Sequence, residues 1–470
     1  MGKYGETEIH PVGLALTLLM GVVMLTARRD RAVLAFLLVA CLVTHAQRVV
    51  VASIDFSMLR IVIIFGWIRV LAKGETSNYR FQPLDATIPV WLFFGALAYL
   101  IGPRSSYPGG FVQRLGSAFD AGATYFLFRI LLRDVRDLHR TIVAFGWISI
   151  LMIGPMILEN LTGRNVFSAL GGVNERTTMR DGRLRCQASF SHPIMAGNFG
   201  ATSAALLGAL WMAFPKERLR HGVALAAAAG ITVLSASGGP VLALASAILA
   251  WGLWPLREWL SPIRWATVAA LTVIHFVREQ PVWHLIGRLS SITGGTGYHR
   301  VSLITNFFEH FKEWAVLGTY TTRHWKGGHG AQDITNQYIL EGVRGGLPTL
   351  LSFVSILVVG FQTVGRSVRR AFARDDWSPA DRRTAAILGW GLGVCLFTHS
   401  TAFIGVSYFG QLLPILYLHL AMIASFASAL QRGKPSRELP TREEAEEPEK
   451  PGTPALGGLG AALRNPGRRV

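Results

Sequence analysis

Five arginines crowd one stretch of this chain: Arg164, Arg176, Arg180, Arg183 and Arg185. Only Glu159, Glu175 and Asp181 offset them there. A guanidinium grips a phosphate through parallel N–H donors, so the pattern points to an anionic ligand. The run Arg185-Cys-Gln-Ala-Ser-Phe-Ser-His192-Pro193 then leads into an apolar segment. Pro193 suits the first turn of a helix. Arg185 is therefore expected near a helix N-terminus, which also favours anions. The competing reading is a solvated loop, or one that touches anionic lipid headgroups.

A second polar stretch follows later. Gly294-Gly-Thr-Gly297 reads as a flexible turn before Tyr298, His299 and Arg300. Ile304, Phe307, Phe308, Phe311 and Trp314 then recur at helical spacing. They predict an amphipathic helix, lying on a membrane surface or packed against the rest of the chain. Gly327-Gly-His329-Gly330 leads through Asp333 to Asn336, Gln337 and Tyr338. Neither glycine turn is a GxxxxGK[ST] loop, so nucleotide-driven chemistry is unsupported. His284, His299, His310, His324 and His329 show no metal-ligand spacing, and no metal is expected. Cys41, Cys186 and Cys395 form no CxxC pair, so no zinc or redox centre is expected either. Ser235-Ala-Ser237-Gly238 breaks the GxSG pattern of a serine nucleophile and reads as a close-packing turn.

The elements that must hold these residues follow from composition. Of 470 residues, 51% are hydrophobic and 16% charged. A soluble domain carries about 25% charged residues. The chain therefore reads as an all-α polytopic membrane protein. The net charge of +18 would suggest nucleic acid in a soluble protein. Here the basic residues sit in short loops between apolar runs, the positive-inside pattern, and no nucleic-acid partner is expected. Apolar runs predict spans near 12–27, 32–47, 53–72, 86–102, 115–132, 141–158, 193–214, 221–236, 240–255, 264–277, 336–364, 384–400 and 404–429. That is about 12–13 crossings at roughly 20 residues each. The first span has no cleavage site after it and is expected to stay.

Basic loops at Arg28–Arg31, Arg133–Arg140, Lys216–Arg220 and Arg366–Arg383 then fall on one side, the cytoplasmic one. The segments 159–192 and 278–335 fall outside and carry the polar residues described above. Residues 1–430 form the membrane domain. The tail 431–470, rich in Glu, Pro, Gly and Arg, is expected to be disordered and cytoplasmic. Within the bilayer, Arg60 and Asp120 are functional candidates or a structural ion pair. Arg69 and Arg129 are expected to snorkel from inner span ends.

Three segments together resemble the O-antigen ligase/polymerase superfamily. Arg185-x-x-Ala188-x-Phe190, followed by His192-Pro193, is similar to the family's R-x-x-G-x-F…P. Arg300 opens a large-loop helix, as a second family arginine does. Thr335-Asn336-Gln337-Tyr338, with Glu341, Gly345 and Gly346 after it, is similar to the family's H-N-x-Y…G. The resemblance implies a GT-C-like glycosyltransferase of the bacterial inner membrane with its site facing the periplasm. It implies a polyprenyl-diphosphate-linked oligosaccharide donor and a glycan or lipid-linked acceptor, with inner-membrane lipids around it and no cofactor or metal. Arg185 and Arg300 would bind the donor diphosphate, with Arg60 as a further contact and Asn336 and Tyr338 lining the site.

The family histidine before the asparagine is Thr335 here, and a threonine hydroxyl is no base near neutral pH. Asp333 or His329 would take that role, Asp333 by preference. The departure favours a polymerase of O-antigen or exopolysaccharide repeats over a ligase acting on lipid A core. A transporter or flippase of a lipid-linked or anionic solute, and a membrane scaffold, are the rival classes. The outward bias of the polar residues argues against a two-sided transport path.

Overall fold

The computed structural model describes residues 7–51, 54–76, 79–106, 109–292, 297–325 and 333–432. The expected tail beyond Arg432, the turn at 294–296 and His329 lie outside the described residues. The chain opens with α1 (Pro11–Thr26), α2 (Arg29–Leu42), α3 (Met58–Ala72), α4 (Pro83–Ile101), α5 (Gly110–Leu131) and α6 (Val135–Thr162). It continues with α7 (Pro193–Ala213), α8 (Arg218–Leu234), α9 (Gly238–Gly252) and α10 (Leu260–Val277). The short α11 (His284–Ile292), α12 (Gly297–Glu309) and α13 (Phe311–Trp314) follow. Last come α14 (Gln337–Phe372), α15 (Pro379–Gly405) and α16 (Leu412–Gln431). Two small antiparallel hairpins complete the described residues: β1 (Arg48–Val51) with β2 (Ile54–Ser57), and β3 (Met179–Arg180) with β4 (Arg183–Leu184).

Seven helical segments are long and apolar enough to cross a membrane: α4, α6, α7, α10 with the turn before it, α14, α15 and α16. This fits a multi-pass membrane protein. α7 and α16 are buried along nearly all their length and form the centre, while α10 is exposed all along. Their starts are chemically marked. Asp134 caps α6 by accepting the Asp137 amide, and Ser378 caps α15 by accepting that of Asp381. Prolines stand in the first turns of α7 and α15.

The expected spans 32–47 and 53–72 need correction. Helix α2 stops at Leu42 and α3 starts at Met58, with β1 and β2 between them. The β-branched run Val49-Val50-Val51 favours this extended backbone. The expected span from 336 is also broken. Gly346 sits at φ +73°, outside the helical region, and splits α14. A Cβ there would lie 2.3 Å from the Val316 carbonyl oxygen, so the loop after α13 presses directly on the break. The Leu347 amide donates to the Ala315 carbonyl at 2.8 Å, which replaces a helical partner.

The amphipathic pattern is likewise divided, because α12 ends at Glu309 and α13 begins at Phe311. Leu303, Phe307 and Trp314 bury against Ile339 and Val343 of α14, which is the packed alternative. Phe308 and Phe311 stay exposed.

Arg69 and Arg129 do not snorkel. Both are buried and paired. Arg69 grips Glu75 through Nε and Nη2 at 3.0 and 3.1 Å. Arg129 donates to Asp85 Oδ1 and Oδ2 at 2.8 and 3.0 Å, and the Tyr125 hydroxyl donates to the same carboxylate at 2.7 Å. Arg129 also reaches Ser425 at 3.2 Å, so this pair ties α4, α5 and α16 together. Removing one partner strands a buried charge, at a cost of about 3–5 kcal/mol. Asp85→Ala should therefore sharply lower the thermal unfolding temperature of the detergent-solubilised protein. Glu258→Ala, which removes an exposed partner of Arg257, should change it little.

Candidate functional site

Residues 185–191 form a strap pinned from several sides. Glu159, near the end of α6, accepts the amides of Gln187 and Ala188 at 3.1 and 2.8 Å and the Thr177 hydroxyl at 3.1 Å. Asn165 donates to the Ala188 carbonyl at 2.8 Å, and Gln411 to the Ser189 carbonyl at 2.8 Å. The Ser189 hydroxyl donates to the Cys41 carbonyl of α2, and the Cys186 amide to Leu234 at the end of α8. Phe190 is fully buried against Phe199 of α7. Ala188 stands at φ +50°, a conformation that favours glycine. It occupies the glycine position of the motif quoted above. The strap thus presents Arg185 from a rigid base.

The strap delivers Arg185 to the start of α9. Its Nη2 donates to Ser237 Oγ at 2.8 Å, and its Nε is buried with no partner among the described residues. Ser237 donates in turn to the Ser235 carbonyl at 3.0 Å and does not cap α9. Arg300, from the first turn of α12, reaches the same place. Its guanidinium lies over Gly239 of α9 and Gly405 at the end of α15, each within 3.7 Å of where a Cβ would stand. Burial, then the charge of Arg180, lowers the pKa of both guanidinium groups, though arginine stays protonated. Arg180 is held nearby by the β3–β4 hairpin, whose Asp181-Gly182 turn takes positive φ at both residues. Two arginines at an uncapped helix start, with a third in electrostatic range, concentrate positive charge at one place.

No family model matches the chain, and no curated protein is similar to it.

The other expected residues are placed as follows. Asn336 caps α14 by accepting the Ile339 amide at 3.1 Å and donates to the Ile404 carbonyl at 3.1 Å. It thereby fixes the end of α15, beside the Gly405 seat of Arg300. The Tyr338 hydroxyl donates to the Ser400 carbonyl at 3.0 Å, and its ring packs near Phe353 and Phe403. Both side chains brace the site from behind. Asp333 is exposed, and its carbonyl lies 3.3 Å from His299 Nε2. Arg60 is committed elsewhere. Its Nε and Nη2 donate to both oxygens of Asp120 at 2.6 and 2.8 Å, and its Nη1 to the Asp55 carbonyl. The ion-pair alternative for Arg60 and Asp120 is the one observed.

Sequence reasoning gave no site role to His192 or Ser237 and did not name Gly239. His192 caps α7, with Nδ1 accepting the Ile194 amide at 3.1 Å. Burial, then the charge of Arg185, lowers its pKa, and Asp333 opposes this. The neutral ring therefore carries its proton on Nε2 and offers a donor. Ser237 left a trace in the broken GxSG segment, read above only as a packing turn, and Gly239 follows that segment directly. Glu159 had its charge noted, without its task.

A buried polar chain links α4, α14, α15 and α16. Trp91 Nε1 donates to Glu341 at 2.9 Å, and Gln337 Nε2 donates to the same carboxylate at 2.8 Å. Gln337 accepts the Tyr408 amide at 2.8 Å, and the Tyr408 hydroxyl lies 2.9 Å from His399 Nδ1. His399 Nε2 and His419 Nδ1 are 2.9 Å apart, with Cys395 Sγ 3.4 Å from the latter. Cys395, His399 and His419 are thus one of two groups among the described residues that could hold a metal ion. The other is His310, Glu313 and His324. Sequence spacing showed neither, because each group spans separate elements.

Two outcomes follow. Glu159→Gln replaces one acceptor oxygen by an amide donor facing the strap amides. Tryptic cleavage at Arg180, Arg183 and Arg185 should accelerate while the bundle stays intact, as followed by mass spectrometry. Ala188→Gly should leave the unfolding temperature level or slightly higher, and Ala188→Val should lower it, because positive φ is a genuine outlier for a β-branched residue.

Proposed function

We propose that this protein is a GT-C-like membrane glycosyltransferase with about 12–13 crossings, acting at the outer face of the bacterial inner membrane. Its donor is a polyprenyl-diphosphate-linked oligosaccharide, and it polymerises O-antigen or exopolysaccharide repeat units. The observation that carries this reading is the convergence of Arg185 and Arg300 on the uncapped start of α9. The resemblance of the three motifs supports it, as do the two outward segments that supply the arginines.

In this reading the diphosphate sits between the two guanidinium groups. An oxygen of the acceptor hydroxyl attacks the anomeric carbon. The anomeric C–O bond to the diphosphate breaks, and its electrons leave with the polyprenyl diphosphate. Arg185 and Arg300 stabilise the charge that grows on this leaving group. The proton of the acceptor hydroxyl passes to the Asp333 carboxylate or to His329. His192 adds a hydrogen-bond donor next to Arg185.

Arg300→Ala should abolish transfer and leave membrane insertion intact. Comparing the lipid-linked glycans of the host with wild type and variant tests this by gel or mass spectrometry. Accumulation of single lipid-linked repeat units is expected. Accumulation of long lipid-linked chains would replace the polymerase by a ligase. An unchanged pool would sink the glycosyltransferase reading and favour a transporter or scaffold.

A further inference from the structure

A second basic site lies at the opposite end of the molecule. Helix α6 runs for 28 residues, about 40 Å, from Asp134 to the Glu159 end that holds the arginine strap. Around its start opens a cleft of about 530 Å³, lined by the ends of α1 and α3, the start of α2 and the start of α6. Six basic side chains line it, Arg28, Arg29, Arg69, Lys73, Arg136 and Arg140, against the carboxylates Glu75, Asp134 and Asp137.

The carboxylates have work of their own. Glu75 is gripped by Arg69, Asp134 caps α6, and Asp137 accepts the Arg133 amide at 2.9 Å. With six basic side chains against three carboxylates, the lining carries an excess of positive charge by count. Two further features suit an anion. Helix α2 starts at Arg29 with no side-chain cap on its first amides. Arg29 Nη1 is buried with no partner among the described residues. A phosphate at this place would meet both.

The rim identifies the source of the phosphate. Val22 of α1 lies one turn before Thr26 of the cleft, and Leu71 of α3 lies beside Lys73. Both are exposed, as are Leu19 and Ile68 a further turn away. An apolar surface thus runs from the cleft along two helices, where acyl chains would lie. By the charge of its loops, this face is the cytoplasmic one.

We propose that the cleft is a binding site for an anionic phospholipid of the cytoplasmic leaflet, with its phosphate among Arg29, Lys73, Arg136 and Arg140 and its chains along α1 and α3. The site is independent of the arginine pair at the other end. Each basic side chain near an anionic headgroup is worth about fivefold in binding.

The test uses the full chain, delipidated in detergent. Phosphatidylglycerol, phosphatidylcholine and inorganic phosphate are added separately while thermal unfolding is followed, and bound lipid is counted by native mass spectrometry. Phosphatidylglycerol should raise the unfolding temperature well above the effect of phosphatidylcholine. It should also be retained preferentially in competition. Arg136→Gln/Arg140→Gln should lose most of that preference, about tenfold or more. Arg31→Gln, which removes an exposed charge outside the cleft, should keep it. Equal retention of the two lipids by the wild type would overturn the proposal, even if the double variant fails to fold. So would an undiminished preference in a folded double variant. Equal stabilisation by inorganic phosphate would overturn the lipid as occupant.

Discussion

A guanidinium cannot be left alone in a dry interior, and this constraint organises the molecule. Taking such a charge out of water costs several kcal/mol unless a partner answers it. Arg129 therefore carries Asp85 with it and joins α4, α5 and α16. Arg69 carries Glu75 and binds the carbonyls of Met24 in α1 and of Ala27 just after it. Arg60 carries Asp120 and joins α3 to α5. Each pair is a structural joint because each charge has a dedicated carboxylate.

The start of α9 gathers positive charge from separate segments. Arg185 arrives from a strap pinned by Glu159, Asn165 and Gln411, and what it meets is a serine hydroxyl. Arg300 arrives from another segment and rests on two glycines. Arg180 adds like charge to both. Such an arrangement is stabilised by an anion, and the helix start offers amides to the same ligand. The carboxylates nearby hold backbone instead. Glu159 spends its acceptors on strap amides, which separates the framework from the chemistry.

The break in α14 serves the same site. Gly346 lets the loop after α13 press into the helix, and the short core of Phe307, Trp314 and Val343 forms over it. That core fixes α12, which carries Arg300. Asn336 at the head of α14 then fixes the end of α15 where Arg300 rests. The distance from Gly346 to the arginine pair is bridged by packed elements, with no need for a direct contact.

The apolar runs alone determined that the chain is helical and suited to a membrane, because long uncharged segments have few other ways to satisfy their backbone. Local chemistry also marked the arginines of the strap, the proline start of α7 and the motif at the head of α14. Pairing was decided only by tertiary structure. Residues 60 positions apart, as with Arg60 and Asp120, carry no signal in sequence that they will meet. The same holds for the β1–β2 hairpin, whose second strand, Ile54–Ser57, reads in sequence as the start of a span. It holds for the seat of Arg300 as well, since Gly239 and Gly405 belong to two helices far apart in the chain. Composition could say that an anion would be welcome on this face. The folded chain decided which two arginines meet at the start of α9.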